Sequence, residues 1–190
     1  MIKRILLTAV AMTLSFGAFA ANTIVEMKTS MGKVEIELFD EQAPVSVKNF
    51  ENYINSGFYK GTIFHRVISD FMIQGGGMTV DMVEKETKPT IINESSNGLL
   101  NERGTLAMAR RNDPNSAASQ FFINVADNDF LNKDESNAGY AVFGKVIKGM
   151  DIVDEISKVP TATVGFSKDV PKKPIKIESI KIKTKTNQII

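Results

Sequence analysis

The side chains that most enzymes use for covalent chemistry are scarce in this sequence of 190 residues. It contains no cysteine and one histidine, His65. The absence of cysteine excludes disulfides, thiol nucleophiles, zinc–thiolate sites and cysteine-ligated iron–sulfur clusters. A single histidine excludes paired-histidine zinc sites, and the chain has no G-x-S-x-G, H-E-x-x-H or P-loop motif. Any activity must therefore need neither a thiol nor a pair of histidines.

Three features that resemble functional motifs have simpler interpretations. His65 lies within an apolar stretch, where a lone histidine more often has a structural role. Residues Gly75 to Gly77 lack the Lys-Ser/Thr pair and the helix start of a phosphate-binding loop, which favours a tight turn. The pair Arg110 and Arg111 is too small for a nucleic-acid surface and is more typical of a solvated one.

Four stretches carry a more specific signal through their order and spacing. They are Phe64 to Gly77 (FHRVISDFMIQGGG), Gly104 to Arg110 (GTLAMAR), Ala118 to Asn124 (ASQFFIN) and Tyr140 to Val146 (YAVFGKV). Together they resemble the cyclophilins, a family of peptidyl-prolyl cis-trans isomerases, and most closely the bacterial periplasmic branch. The resemblance extends over residues 25–182. Each motif alone is weak, whereas four motifs in register are specific.

The resemblance implies a substrate groove on the outside of a barrel, lined by residues of these motifs. It assigns catalytic roles to Arg66 and Gln74. It assigns substrate binding to Phe71, Met72, Ala109, Arg110, Gln120, Phe122, Phe130, Leu131 and Tyr140. Three positions depart from the family pattern. Many members carry an asparagine at Arg110 and a histidine at Tyr140, and many eukaryotic members carry a tryptophan at Phe130. Because that tryptophan contacts cyclosporin in the family, we expect weaker cyclosporin inhibition here with catalysis kept.

Prolyl isomerisation suits these residue types. Rotation about an X-Pro bond makes and breaks no covalent bond, and its barrier of ~18–20 kcal/mol comes from amide resonance. The enzyme has to bind the twisted amide more tightly than either planar isomer, so no nucleophile, metal or cofactor is required. We expect Arg66 to donate to the prolyl nitrogen, which becomes pyramidal, or to stabilise the carbonyl side. We expect Gln74 to orient Arg66 or the substrate carbonyl, and Gln120 to hold the peptide backbone.

Each of these residues has an alternative role if the resemblance is set aside. Arg66 could be a surface charge on a strand, and Gln74 a turn residue before the glycines. Met72 could fill a gap in the core. Two aromatic residues of the expected groove could simply be core, namely Phe71 and Phe122. Phe121 and Phe143 are expected in the core rather than in the groove.

The elements that must position these residues are short. Val34, Ile36 and Leu38 alternate with glutamates, which predicts a half-buried strand with a hairpin partner at residues 23–27. Further strands are predicted at residues 63–68, 71–74, 105–109, 120–125, 140–147 and 175–182. One helix is predicted from Pro44, with Asp40 as an acidic start and Gly57 as its stop, and another before Pro160.

These elements predict a single, mainly β domain with two helices. Many short strands favour a barrel or a sandwich. The strong alternation of the first and last strands is compatible with their pairing to close a barrel. The resemblance adds a definite architecture, a closed eight-stranded antiparallel β-barrel capped by two α-helices.

The first twenty residues have the pattern of a secretory signal peptide. Lys3 and Arg4 precede an apolar stretch from Ile5 to Phe16, and Ala18-Phe19-Ala20 forms a small-x-small cleavage pattern. The apolar stretch is shorter than the ~20 residues of a spanning helix, which disfavours the alternative of an uncleaved anchor. We expect residues 1–20 to be removed, leaving a periplasmic isomerase domain at residues 21–190.

The charge balance and the resemblance together define the expected partners. With 23 basic and 22 acidic residues, the formal net charge of +1 argues against a broad nucleic-acid surface. We expect binding to proline-containing segments of unfolded or folding exported proteins, no nucleic acid, no membrane contact after cleavage, and a monomer.

Three other functions stay open. The chain could be a cyclophilin-like module that binds proline-containing segments without turnover, or a chaperone whose isomerase activity is incidental. A ligand-carrying barrel is the least favoured, since it needs a lumen and a small barrel is filled by side chains.

Overall fold

The computed structural model describes residues 22–185, so the predicted signal peptide at residues 1–20 lies outside the described residues. The elements in chain order are β1 (Thr23–Thr29), β2 (Gly32–Leu38), α1 (Pro44–Asn55), β3 (Ile63–Ile68), β4 (Met72–Gly75), β5 (Thr105–Met108), β6 (Phe121–Asn124), β7 (Val142–Lys148), α2 (Met150–Ser157), β8 (Thr161–Val164), β9 (Ser167–Pro171) and β10 (Ile175–Thr184). A 3-10 turn, Asp129–Leu131, precedes β7. No helix among residues 22–185 is both long and apolar enough to cross a membrane.

Eight strands form a closed barrel in the order β1-β10-β3-β4-β6-β5-β7-β2. Every neighbouring pair in it is antiparallel. The first and last strands of the described chain pair directly, from Ile24 opposite Thr184 to Thr29 opposite Ile177, and this pairing closes the barrel. The predicted eight-stranded antiparallel barrel with two α-helices is confirmed.

Side chains from the strands and from both helices fill the barrel interior. Phe50 of α1 contacts Phe121 and Phe143, with ring centroids 5.4 Å and 5.3 Å apart. Val153 and Ile156 of α2 belong to the same buried cluster. The prediction that Phe121 and Phe143 are core residues is confirmed, and the filled interior argues against a ligand-carrying barrel.

The acidic group at the start of α1 is not the predicted one. Asp40 instead accepts hydrogen bonds from the backbone N–H (2.7 Å) and hydroxyl (3.0 Å) of Thr23. The Glu94 carboxylate accepts from the backbone N–H groups of Val45 (3.0 Å) and Ser46 (2.7 Å). A helix start leaves such N–H groups without partners within the helix, and here a distant loop supplies the acceptor.

Two local details differ from the sequence-based prediction. The hairpin of β8 and β9 was not predicted, because most of its residues are at least partly exposed and no alternation of burial marks it. Gly75 was predicted in a tight turn but lies in β4. It pairs there with Phe64. A Cβ at Gly75 would lie within 3.0 Å of the Ile63 carbonyl oxygen, so glycine allows this close approach.

Candidate active site

A second, smaller apolar cluster lies on the outer face of the barrel. In β6, Phe121 points into the core, while Phe122 points outward, opposite Ala107 of β5. The buried members of this outer cluster are Met72, Ala107, Phe122, Leu131 and Val142. Because neighbouring strand residues face opposite sides, the same strands build both the core and this surface.

A β-bulge in β3 brings Arg66 to this outer face. Phe64 pairs with Gly75 and Arg66 pairs with Gln74, so His65 is an extra residue in β3. In a regular strand that kept His65 but had no bulge, Arg66 would share the inward face of Phe64, since side chains alternate with a period of two. The bulge therefore places the Arg66 guanidinium beside Gln74.

These strands and the 129–140 segment enclose an outer pocket of about 110 Å³. Its walls are Arg66, Phe71, Met72, Gln74, Ala109, Arg110, Phe122, Leu131 and Tyr140. Phe122 and Met72 are buried, whereas Arg66 is exposed. The arrangement places a cationic hydrogen-bond donor in the same pocket as the apolar side chains of Phe122 and Met72.

Two of the residues predicted for the site lie outside the walls of this pocket. Phe130 is 66% exposed, and its ring contacts Phe71 with centroids 5.4 Å apart. Gln120 lies behind Gln74, whose Nε2 donates to Gln120 Oε1 over 3.0 Å. Gln74 Oε1 in turn accepts a long hydrogen bond of 3.5 Å from Arg66 Nη1.

Arg110 and Tyr140 form a fixed part of the rim. The Arg110 guanidinium lies 4.4 Å from the centroid of the Tyr140 ring. Its Nε donates to the Gly139 carbonyl and its Nη1 to the Arg111 carbonyl, each over 3.0 Å. Stacking and hydrogen bonds together hold this cation in place.

Buried asparagines, which the sequence analysis did not single out, support the pocket walls. They are Asn101, Asn124 and Asn128. Asn101 Nδ2 donates to the carbonyls of Leu131 and Tyr140, each over 3.3 Å. Asn128 Nδ2 donates to the Phe71 carbonyl over 2.9 Å. The one signal in the sequence was Asn124, which ends the third motif.

His65 contributes to the fold beside the site. Its side chain is 8% exposed, and burial lowers its pKa below the ordinary value of 6.5. Its Nδ1 has no hydrogen-bond partner among the described residues. Within residues 22–185, no group of three histidine, aspartate or glutamate side chains is arranged to hold a metal ion.

Comparison with known proteins identifies the family. The family model described as cyclophilin type peptidyl-prolyl cis-trans isomerase/CLD matches residues 24–182. The chain belongs to the cyclophilins. This cyclophilin is therefore a peptidyl-prolyl cis-trans isomerase, and its substrates are proline-containing peptides.

Several relatives match along most of their length. This cyclophilin is 60% identical over 184 residues to a peptidyl-prolyl cis-trans isomerase of Acinetobacter baylyi, covering 97% of each chain. It is 56% identical to peptidyl-prolyl cis-trans isomerase A of Dickeya dadantii, covering 96% of this chain and 98% of that one. Among solved structures, a cyclophilin from Cryptosporidium parvum matches with a TM-score of 0.71 and 31% identity, over 86% of this chain and 98% of that chain.

Proposed function

We propose that this cyclophilin acts in the periplasm, where it accelerates isomerisation of X-Pro bonds in exported proteins and so assists their folding. The proposal is supported by the secretory pattern of residues 1–20 together with the isomerase domain that follows. Uncatalysed exchange takes on the order of tens to hundreds of seconds, which makes it a slow step in folding.

The observation that carries the proposed active site is the position of Arg66. Arg66 lines the outer pocket together with the apolar side chains of Phe71, Met72, Phe122 and Leu131. We propose that Phe71, Met72, Phe122 and Leu131 hold the proline ring in this pocket. A Cryptosporidium parvum cyclophilin, 32% identical to this one with a TM-score of 0.70, was crystallised in the presence of the dipeptide Ala-Pro.

The proposed catalysis acts on the twisted amide. As the bond rotates, resonance is lost and the prolyl nitrogen gains a lone pair that a donor can bind. Arg66 supplies a permanently charged donor there or stabilises the carbonyl side, while Gln74 orients it. Since the planar isomers offer no such lone pair, this interaction favours the transition state over both ground states.

Turnover of a short Ala-Pro peptide by the mature chain tests the role of Arg66. We expect Arg66→Ala to lower kcat/KM at least tenfold, about 1.4 kcal/mol of transition-state stabilisation. Arg66→Lys is the matched control for charge. We expect its kcat/KM to stay close to that of Arg66→Ala, because lysine lacks the planar donor fork. Full activity of Arg66→Ala would contradict the mechanism. Wild-type binding without turnover would favour a binding module.

Cell fractionation with sequencing of the mature N-terminus tests the location. We expect the protein in the periplasmic fraction, starting at Ala21. A cytoplasmic protein that keeps its first twenty residues would contradict export. Refolding of an exported protein whose slow phase is prolyl isomerisation tests the folding role, and Arg66→Ala is the matched control.

A further inference from the structure

A second pocket adjoins the outer pocket and shares Gln74, Ala109 and Arg110 with it. We call it the side pocket. It has a volume of about 360 Å³, and its remaining walls include Met78, Glu84, Arg111 and Gln120. Glu84 Oε1 accepts a hydrogen bond from Gln120 Nε2 over 3.3 Å, and Glu84 Oε2 pairs with Arg111 Nη2 over 3.3 Å.

The hydrogen bonds across the two pockets form one continuous chain. Arg66 Nη1 donates to Gln74 Oε1 over 3.5 Å, Gln74 Nε2 donates to Gln120 Oε1 over 3.0 Å, and Gln120 Nε2 donates to Glu84. In each link the residue nearer Arg66 donates and the next residue accepts, so Glu84 is the final acceptor. We call these four side chains the amide chain.

The two ends of the amide chain determine its direction. A guanidinium only donates and an ionised carboxylate only accepts, whereas each glutamine amide can turn either way. Only one arrangement of the two amides satisfies every link between these ends. If either amide turned over, two N–H groups or two carbonyl oxygens would face each other. Glu84 and Arg66 therefore fix the orientation of both amides together, with the Gln74 oxygen toward Arg66.

Backbone contacts hold Glu84 beside Gln120. Met78 and Glu84 form an antiparallel bridge, and the Lys85 N–H donates to the Gly77 carbonyl over 2.9 Å. A Cβ at Gly77 would lie within 3.0 Å of the Gln120 side chain. The glycine at position 77 thus leaves room for Gln120 in the middle of the chain.

We propose that Glu84 is a positioning residue for the isomerase reaction. Acting through Gln120 and Gln74, it holds the Arg66 guanidinium in the orientation that meets the rotating amide. This role rests on the proposed function of Arg66. Arg111 supports it by pairing with the second carboxylate oxygen.

Kinetics of three variants on a neutral Ala-Pro peptide tests the proposal. We expect Glu84→Ala to lower kcat about three- to tenfold with a smaller change in KM, because a poorly oriented donor weakens the transition state more than substrate binding. Glu84→Gln keeps an acceptor oxygen and should restore most of kcat. Glu86→Ala is the matched control, since it removes a carboxylate from the same exposed loop and should leave kcat unchanged.

A double-mutant cycle and an NMR measurement separate positioning from a general effect. If Glu84 acts through Gln74, Glu84→Ala should cost nothing further in the Gln74→Ala background. The Arg66 Nε–Hε and Gln74 side-chain amide resonances should shift in Glu84→Ala and not in Glu86→Ala.

The possible failures are distinct. If Arg66→Ala lowers turnover while Glu84→Ala leaves kcat and these resonances unchanged, the positioning role is wrong and the mechanism stands. Additive effects of the Glu84 and Gln74 substitutions would also overturn it. If Arg66→Ala keeps full activity, the proposed mechanism itself fails.

Discussion

The β-bulge in β3 decides which way the Arg66 side chain faces. His65 forms the bulge, so that Phe64 stays in the core while Arg66 turns outward beside Gln74. In a regular β3 with the same sequence and no bulge, residues 64 and 66 would share one face, and the guanidinium would point toward the barrel interior. The position of the histidine in the chain thus matters more to the site than its acid–base chemistry.

The acid–base chemistry of His65 should instead appear in stability. Burial lowers the His65 pKa below 6.5, so the folded protein binds a proton less readily than the unfolded chain. The contribution of the neutral, buried His65 to stability is complete above pH 6.5. It is lost as the pH falls from 6.5 through the lower pKa of the folded protein. Histidine is the one side-chain type whose ordinary pKa lies in this range.

Urea unfolding of wild type and His65→Gln at pH 7.5 and pH 5.5 checks this prediction. We expect the free energy of unfolding of wild type to fall between these pH values, and that of His65→Gln to fall less. His65 is the single histidine, so no other side chain of that type complicates the comparison. An equal fall in both proteins would contradict the prediction.

Arg110 should influence which peptides are turned over fastest. Its guanidinium is fixed over Tyr140 at the rim of the outer pocket. We expect peptides with an acidic residue beside the proline to have kcat/KM values about two- to fivefold above those with a basic residue, typical of a partly exposed ion pair.

A peptide series with varied flanking charge measures this preference. Arg110→Ala should abolish it, Arg110→Lys should keep part of it, and salt should weaken it in wild type. The same ratio of acidic to basic peptides in wild type and Arg110→Ala would refute the role.

At the scale of elements, a periodic pattern of apolar residues made two elements readable from the sequence. β2 alternates buried and partly exposed residues, and α1 has apolar residues at helical spacing, so both were found near their observed bounds. The β8–β9 hairpin was missed, since Phe166 at its tip is fully exposed and the burial of its strands is not periodic. The contact between Glu94 and α1 was missed because no local pattern reports an acceptor so distant in sequence.

This distant acceptor predicts a stability effect at α1. Glu94→Ala leaves the N–H groups of Val45 and Ser46 and the Ser46 hydroxyl without their acceptor. We expect a loss of about 1–2 kcal/mol, as for removal of a helix N-cap.

Chemical denaturation of Glu94→Ala and Glu94→Gln measures this loss. The Gln variant keeps one acceptor oxygen without the charge, so its stability should be intermediate. Because Glu94 is outside the walls of both pockets, turnover at low temperature should be unchanged. A Glu94→Ala protein as stable as wild type would show that water replaces the carboxylate without loss.

For the whole molecule, the sequence alone did not assign the order of the strands in the barrel. Four motifs in register gave the site by resemblance, and nine of the residues predicted for it line one pocket. Glu84 and Asn101 were not found, because both lie in the polar stretch of residues 78–103, where no motif marks them. Their contacts depend on how distant strands meet, which composition and periodicity do not describe.

Ion pairs across the outer surface of the closed barrel predict a pH effect. Glu35 of β2 pairs with Lys148 of β7 (2.8 Å) and Lys183 of β10 (2.9 Å). Hydrogen bonds from these two lysines lower the Glu35 pKa from 4.5 to about 2. Its stabilisation is therefore present above pH 4.5 and is lost as the pH falls towards about 2.

Thermal unfolding of Glu35→Gln checks this effect. We expect a lower Tm than wild type at pH 7, with a difference that shrinks at pH 3 and in about 1 M salt. Glu178→Gln, which removes a single pair with Lys28, is the matched control and should lower the Tm less. A difference in Tm that is independent of pH would point to packing rather than charge.

The pairing of β1 with β10 means that the barrel cannot be completed until late in synthesis. Among the strands of the barrel, β10 is the last that a ribosome makes, and a channel that threads the chain from its N-terminus releases it after the other seven. Until then β1 and β3 each lack the neighbour that lies between them in the barrel. The barrel can therefore close only after β10 has emerged, and until then the edges of β1 and β3 that β10 covers are open to other strands.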